Sequence, residues 1–338
     1  MAVCVDAMYP KLSNKAVWPT DKPWTYLFDR SNNNGYFARA IAHQQRQLAP
    51  EKRARGGGTE KRKRAKTSVS NEVPVVQSAD DLELSNEVNY LRNIVARDCV
   101  KPDILTSMRD TFKERRYLIN NESKRLSVST LIDAFPHLLS FEGEVIDQEF
   151  SLLHNDKKDN LLRNFHQYSA KLLKMAESNP KKYPPDLLHH GNAHLSAFVI
   201  LANFLPKPRR SYPWEESMNP TPVLYDFYQS VPMGSNVEYE IEQRRQLTKY
   251  PIQPYILNVG TRMFIVLGNS EWLALPRECS TLQGVDFLIK ACYALDTPYY
   301  LGWKNVFRFL TVYLYNITPD HQRLSVFAEQ HRALMQIQ

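Results

Sequence analysis

Three groups of side chains in this sequence are spaced closely enough to do chemistry together. His189, His190 and His194 form one cluster, and His190 and His194, four apart, would share a helix face. A zinc centre needs three or four ligands, and neither an HExxH pattern nor a nearby cysteine completes the set. The cluster therefore reads as helix-surface histidines, with no metal. Cys279 and Cys292 could act as nucleophiles only beside an activating base. Their positions at the start and on the apolar face of an expected helix argue for packing. Asp147, Glu149 and Asp156 could offer carboxylates to magnesium, but their spacing matches no known binding loop, so they read as solvent-facing.

The strongest signal is charge. Residues 1–72 hold 14 Lys/Arg and 6 Asp/Glu, while the other 266 residues hold 29 and 30. The excess centres on Lys52, Arg53 and Arg55, a Gly56-Gly57-Gly58 joint, then Lys61, Arg62, Lys63, Arg64 and Lys66. Such a run cannot pack and is read from outside. Lys61-Arg62-Lys63-Arg64 has the density of a short nuclear-import signal laid into an acidic receptor groove. The same side chains could contact DNA or RNA phosphates by counterion release. An anionic membrane fits less well, because no amphipathic helix or lipidation signal adjoins the run. Trp18, Trp24, Tyr26 and Phe28 stand among Arg30, Arg39 and Arg46, a mixture that can stack on single strands; a small hydrophobic core is the simpler reading.

Other chemistries lack their motifs. There is no GxxxxGK[ST] phosphate loop, no GxGxxG after a strand and no GxSxG elbow. No cofactor is implied. The longest apolar stretch, Leu195 to Leu205, falls short of the roughly 20 residues of a membrane span. The first residues lack the basic and apolar regions of a secretory signal. Four scattered cysteines without a CxxC pair suit reduced thiols in the nucleus or cytoplasm. An apolar fraction of 43% with 11% aromatics excludes disorder over the whole chain.

The elements that must position these residues fall into five stretches. Residues 1–48 read as a small helical unit and 49–79 as a disordered basic linker. Residues 80–205 read as helical. Leu82 to Val95 suggests one helix, and Leu105 to Ile119 a second after Pro102. Shorter ones run through Leu131–Phe135 and Val145–Leu153. The clearest is Asp156–Glu177, capped by Asn155 or Asp156, with Leu161, Phe165, Tyr168, Leu172 and Met175 at helical steps. Asp186–Leu205 reads as another helix despite Gly191. Residues 206–250 form a Pro-rich connection, since six prolines between 206 and 232 leave no room for a long regular element. Residues 251–338 read as α+β. Strands are expected at 255–259, 263–267 and 271–275, followed by a helix with a Ser280/Gln283 capping box and another through Trp303–Leu314. The last twenty residues suggest a surface helix. The expected fold is α+β and predominantly helical: a helical middle region, then a small antiparallel three-stranded meander packed with two helices.

Several short patches recur in order: Tyr9-Pro10-Lys11-Leu12; Glu114-Arg115-Arg116 with Ile119 and Glu122; Phe135-Pro136; and Ile146-Asp147-Gln148-Glu149-Phe150. Pro254-Tyr255-Ile256-Leu257 with Gly260 follows, then Tyr293-Ala294-Leu295-Asp296 and Tyr299. In these the chain resembles a group of animal proteins labelled sterile alpha motif domain-containing protein 3-like, in regions outside the sterile alpha motif domain. No such domain is recognisable here, and Tyr299-Tyr300 stands where the group has Tyr-Pro. The resemblance implies architecture and carries no activity.

The expectation is a non-enzymatic nuclear protein with a basic import or nucleic-acid-contacting segment and a C-terminal region that binds another protein. The alternatives are a nucleic-acid-acting enzyme or enzyme remnant from a mobile element, and a cytosolic interaction module with a solvated basic spacer. The expected partners are a nuclear import receptor, DNA or RNA through the basic segment, and an unidentified protein.

Overall fold

A computed structural model describes residues 84–120, 126–184, 191–208, 221–248, 253–268, 270–317 and 325–337. Chain contacts divide the protein into Met1–Ser68 and Val69–Gln338, and every described residue belongs to the second unit. The expected N-terminal helical unit and basic linker lie outside the described residues.

The first helices are α1 (Asn86–Asn93), α2 (Lys101–Asp110), α3 (Phe112–Asn120), α4 (Val128–Ala134) and α5 (Glu144–His154). Ser85 caps α1 by accepting from the Val88 amide, and the helix ends before Val95, which is exposed rather than part of the expected stripe. The expected Leu105–Ile119 helix breaks at Thr111, whose hydroxyl donates to the Ser107 carbonyl at 2.7 Å and competes with the helical ladder. Gly143 starts α5 at φ +93°, and a side chain there would run into the Phe287 ring.

Helix α6 (Asn160–Ser178) starts later than its hydrophobic pattern suggests. Asn155 takes φ +49° and residues Asn155–Lys157 form a 3-10 turn, so Asp159 occupies the cap position. Helix α7 (Ala193–Phe204) likewise starts after Gly191, which sits at φ +90° outside the helix; the Asn192 side chain caps it. The two helices pack through Phe165 and Phe198, stacked at 4.5 Å. Such a pair adds about 0.5–1.5 kcal/mol beyond its burial.

The expected Pro-rich connection holds three regular elements. A single turn, α8 (Leu224–Phe227), leads into β1 (Tyr228–Val231), and α9 (Val237–Leu247) follows. Helix α9 begins past Pro232, the last of the prolines, and Asn236 caps it. The strands β2 (Tyr255–Val259), β3 (Arg262–Val266) and β4 (Trp272–Ala274) occupy the expected places, but the sheet is a four-stranded mixed one of order β1-β2-β3-β4. β1 pairs parallel to β2, and the other pairs are antiparallel. The fold is thus α+β and mainly helical.

Alternation splits the sheet into two faces. Ile256, Met263 and Ile265 join a core that extends from Val88 to Leu334. Tyr255, Leu257, Phe264 and Val266 face a smaller cluster closed by Ile241 of α9. Helix α10 (Thr281–Ala294) begins with the expected Ser280/Gln283 capping box and lies on the larger face. It comes so close that a Cβ on Gly284 would stand 3.1 Å from the Met263 sulfur. Helix α11 (Lys304–Phe309) continues as a π turn over Leu310–Leu314. Asn160 and Asn164 of α6 donate to the Tyr315 and Leu314 carbonyls at the end of this turn. The last helix, α12 (Ser325–Met335), is anchored by buried Phe327 and Leu334. Among the described residues, no helix is long and apolar enough to cross a membrane.

Candidate functional site: the seam between α5 and α10

Several chemistry-bearing side chains of the described residues gather where α5 meets α10. On α10, Asp286 and Lys290 are one turn apart and each 3% exposed. Their contact, Lys290 Nζ to Asp286 Oδ2 at 2.7 Å, is extended by Asp147 of α5, whose Oδ1 takes a second Lys290 proton at 2.6 Å. Lys158 reaches the other Asp147 oxygen at 2.9 Å. The Tyr315 hydroxyl, delivered by the π turn, donates to Asp286 Oδ1.

Two lysines and two carboxylates balance. Burial pushes the Asp147 carboxyl up, but hydrogen bonds from Lys158 and Lys290 outweigh it and hold the group below the usual range. Burial raises Asp286, with Lys290 opposing. Burial also lifts Tyr315 well above an ordinary phenol. The cluster is a closed circuit: its acceptors face its own donors, and it clips α5, α10 and the π turn together.

A second buried pair backs α5. Arg115 of α3 contacts Glu149, with side chains 0% and 1% exposed. Its guanidinium also meets Thr111 Oγ1 at 2.6 Å and the Met108 carbonyl, and it lies over the Phe135 ring. Glu149 is therefore buried and Asp147 half-buried, where both were expected to face solvent; Asp156 does face it, in the turn after α5. Local sequence could not show this, because the partners Lys290 and Arg115 lie far along the chain. The one local signal was the four-residue spacing of Asp286 and Lys290.

Two recesses open along the seam. The first, about 410 Å³, collects Asp98, Glu142, Glu144 and Asp147 beside Lys101 and Phe287. Three of these carboxylates already have cations: Glu144 has Lys101, Glu142 has Arg262 at 3.8 Å, and Asp147 has its two lysines. Among the described residues, no group of three or more His, Cys, Asp or Glu could hold a metal. The second, about 340 Å³, lies where α5 and α10 both end. It is lined by Arg116, Leu153, His154, Cys292, Tyr293, Asp296, Thr297 and Tyr299. Arg116 of α3 caps α10 by donating to the Ala294 carbonyl at 2.9 Å. Burial, helped by Lys157 and Arg116, lowers His154. Burial pushes the Cys292 thiol up to about 12, so it carries no thiolate at neutral pH.

The sequence-predicted site residues stand apart from this seam. Lys52, Arg53, Arg55, Lys61, Arg62, Lys63, Arg64 and Lys66 lie outside the described residues, as do His189 and His190. His194 packs 5.9 Å from the Phe165 ring. Cys279 is half-buried and Cys292 buried. Of the residues in the short ordered patches, Arg116, Asp147 and Tyr293 lie along the seam, with the Arg115–Glu149 pair behind α5. Comparison with protein-family models, curated proteins and solved structures finds no match.

Proposed function

We propose that the chain is a non-enzymatic nuclear protein. Lys52, Arg53, Arg55, Lys61, Arg62, Lys63, Arg64 and Lys66 act as an import signal or phosphate contact, and the folded region binds another protein. The observation that carries this reading is the charge division: a net +8 on residues 1–72 against −1 on the rest. The folded region supports it, because its buried acids are matched to its own cations and leave little for a substrate. Met233, Tyr239 and Leu247, on and beside α9, are exposed apolar side chains available to a protein partner.

The test is localisation of the full chain with these eight side chains replaced by Gln, alongside a reporter fused to residues 45–72. The reading expects the variant to lose nuclear accumulation and the reporter to gain it. An unchanged variant with a cytoplasmic reporter would overturn it. Binding of both full chains to mixed DNA and RNA across a salt series separates the two roles. A steep salt slope that the Gln variant loses marks phosphate contact. Import without nucleic-acid binding marks an address.

A further inference from the structure

The recess at the ends of α5 and α10 is a built cavity with no role in the proposal above. We propose that it binds a neutral, planar heteroaromatic ring of nucleobase size. Its volume of about 340 Å³ lies at the small end of ligand pockets, about 300–1,000 Å³. Its walls are rings held in place by other rings: His154 stands edge-on to Tyr293 at 4.9 Å, and Tyr299 packs on Phe307 at 4.8 Å. A flat ligand gains stacking against such walls without ordering them further.

The polar groups define the rest. His154 Nε2 is buried with no hydrogen-bond partner. The Thr297 hydroxyl is buried without a hydrogen bond of ordinary geometry, and the Cys292 thiol near it is a weak partner at best. Leaving such atoms unpaired costs about 1–3 kcal/mol each, a cost that a ligand with ring nitrogens or carbonyls relieves. A charged ligand fits less well. Arg116 is engaged with the α10 carbonyls and interacts with the Asp296 carboxylate that also lines the recess, so these two charges offset each other; the imidazole is neutral, and two helix C-termini add a negative partial charge that opposes an anion. The protonated, buried thiol makes binding non-covalent.

The test is calorimetric titration of the full chain with adenine, with benzoate as the charged ring and toluene as the apolar one. Adenine is expected to bind in the submillimolar range, benzoate and toluene at least tenfold more weakly. His154→Phe keeps a ring but removes the nitrogens, and Thr297→Val keeps shape but removes the hydroxyl. Each should weaken adenine at least tenfold without lowering the melting temperature. Because adenine carries no phosphate, the basic segment does not contribute to this signal. Failure of adenine to bind at millimolar concentration would overturn the proposal and leave a water-filled recess. Equal binding by toluene or benzoate, or unchanged affinity in both variants, would overturn it as well.

Discussion

The two ends of the α5–α10 seam treat polar atoms in opposite ways. Around Lys290 each charge meets an opposite charge, and a tyrosine hydroxyl satisfies the remaining carboxylate oxygen. Around His154 and Thr297, two buried polar atoms have no ordinary partner. Both ends take side chains from the same two helices: Asp147, Asp286 and Lys290 at the first, His154, Cys292 and Tyr293 at the second. Pairing of groups therefore separates a structural clip from an open site, and the mere presence of ionisable residues does not.

Lys290 joins both carboxylates of the paired end. Lys290→Met leaves Asp286 buried without its cation and is expected to cost about 3–5 kcal/mol in chemical denaturation. The double variant with Asp286→Leu should recover most of that. A loss under about 1 kcal/mol from the single variant would mean that the clip does not hold the seam.

Asp147→Asn should cost less, about 1–3 kcal/mol, because it removes charge and keeps shape. It also carries a pH signature. The folded Asp147 is held below its ordinary pKa, so its contribution is present above about pH 4 and is lost as pH falls through the folded value. The variant should lack that share of the acid-side loss, read as a flatter stability profile below pH 4.

At the open end the sign differs. His154 is lowered on folding, so the unfolded chain binds its proton first, and stability falls as pH drops below about 6.5. His154→Phe should flatten the profile between pH 6.5 and 5 relative to the unaltered protein. The smallest effect is expected from Thr297→Val. Removing an unpaired buried hydroxyl should change stability by no more than about 1 kcal/mol, in the stabilising direction. A large loss would show that the hydroxyl has a structural partner and would erase the contrast.

Much of the frame was legible in the sequence because it is written in local signals. The Ser280/Gln283 box set the start of α10, and short β-branched runs with Gly260 between them marked β2 and β3. β1 and α9 were missed because the prolines before them read as punctuation; the regular elements begin where that punctuation thins. The start of α6 was misplaced because apolar spacing does not register Asn155 in a left-handed conformation. The seam was illegible for a different reason. Asp147 and Glu149 default to solvent in any local reading. Only a fold that brings Lys290 and Arg115 alongside gives them a reason to be inside.

The mixed sheet implies that its strands assemble on different clocks. β2 and β3 are joined through Gly260-Thr261, and β4 follows after a short loop, so this part can zip locally on the order of microseconds. β1 is parallel to β2 and reaches it only across a connection that contains α9. Its registration waits for α9 to form and dock through Ile241. In pulse-labelling hydrogen exchange during refolding, the β2–β3 amides should gain protection first. The β1–β2 ladder should follow only when the small cluster under α9 closes.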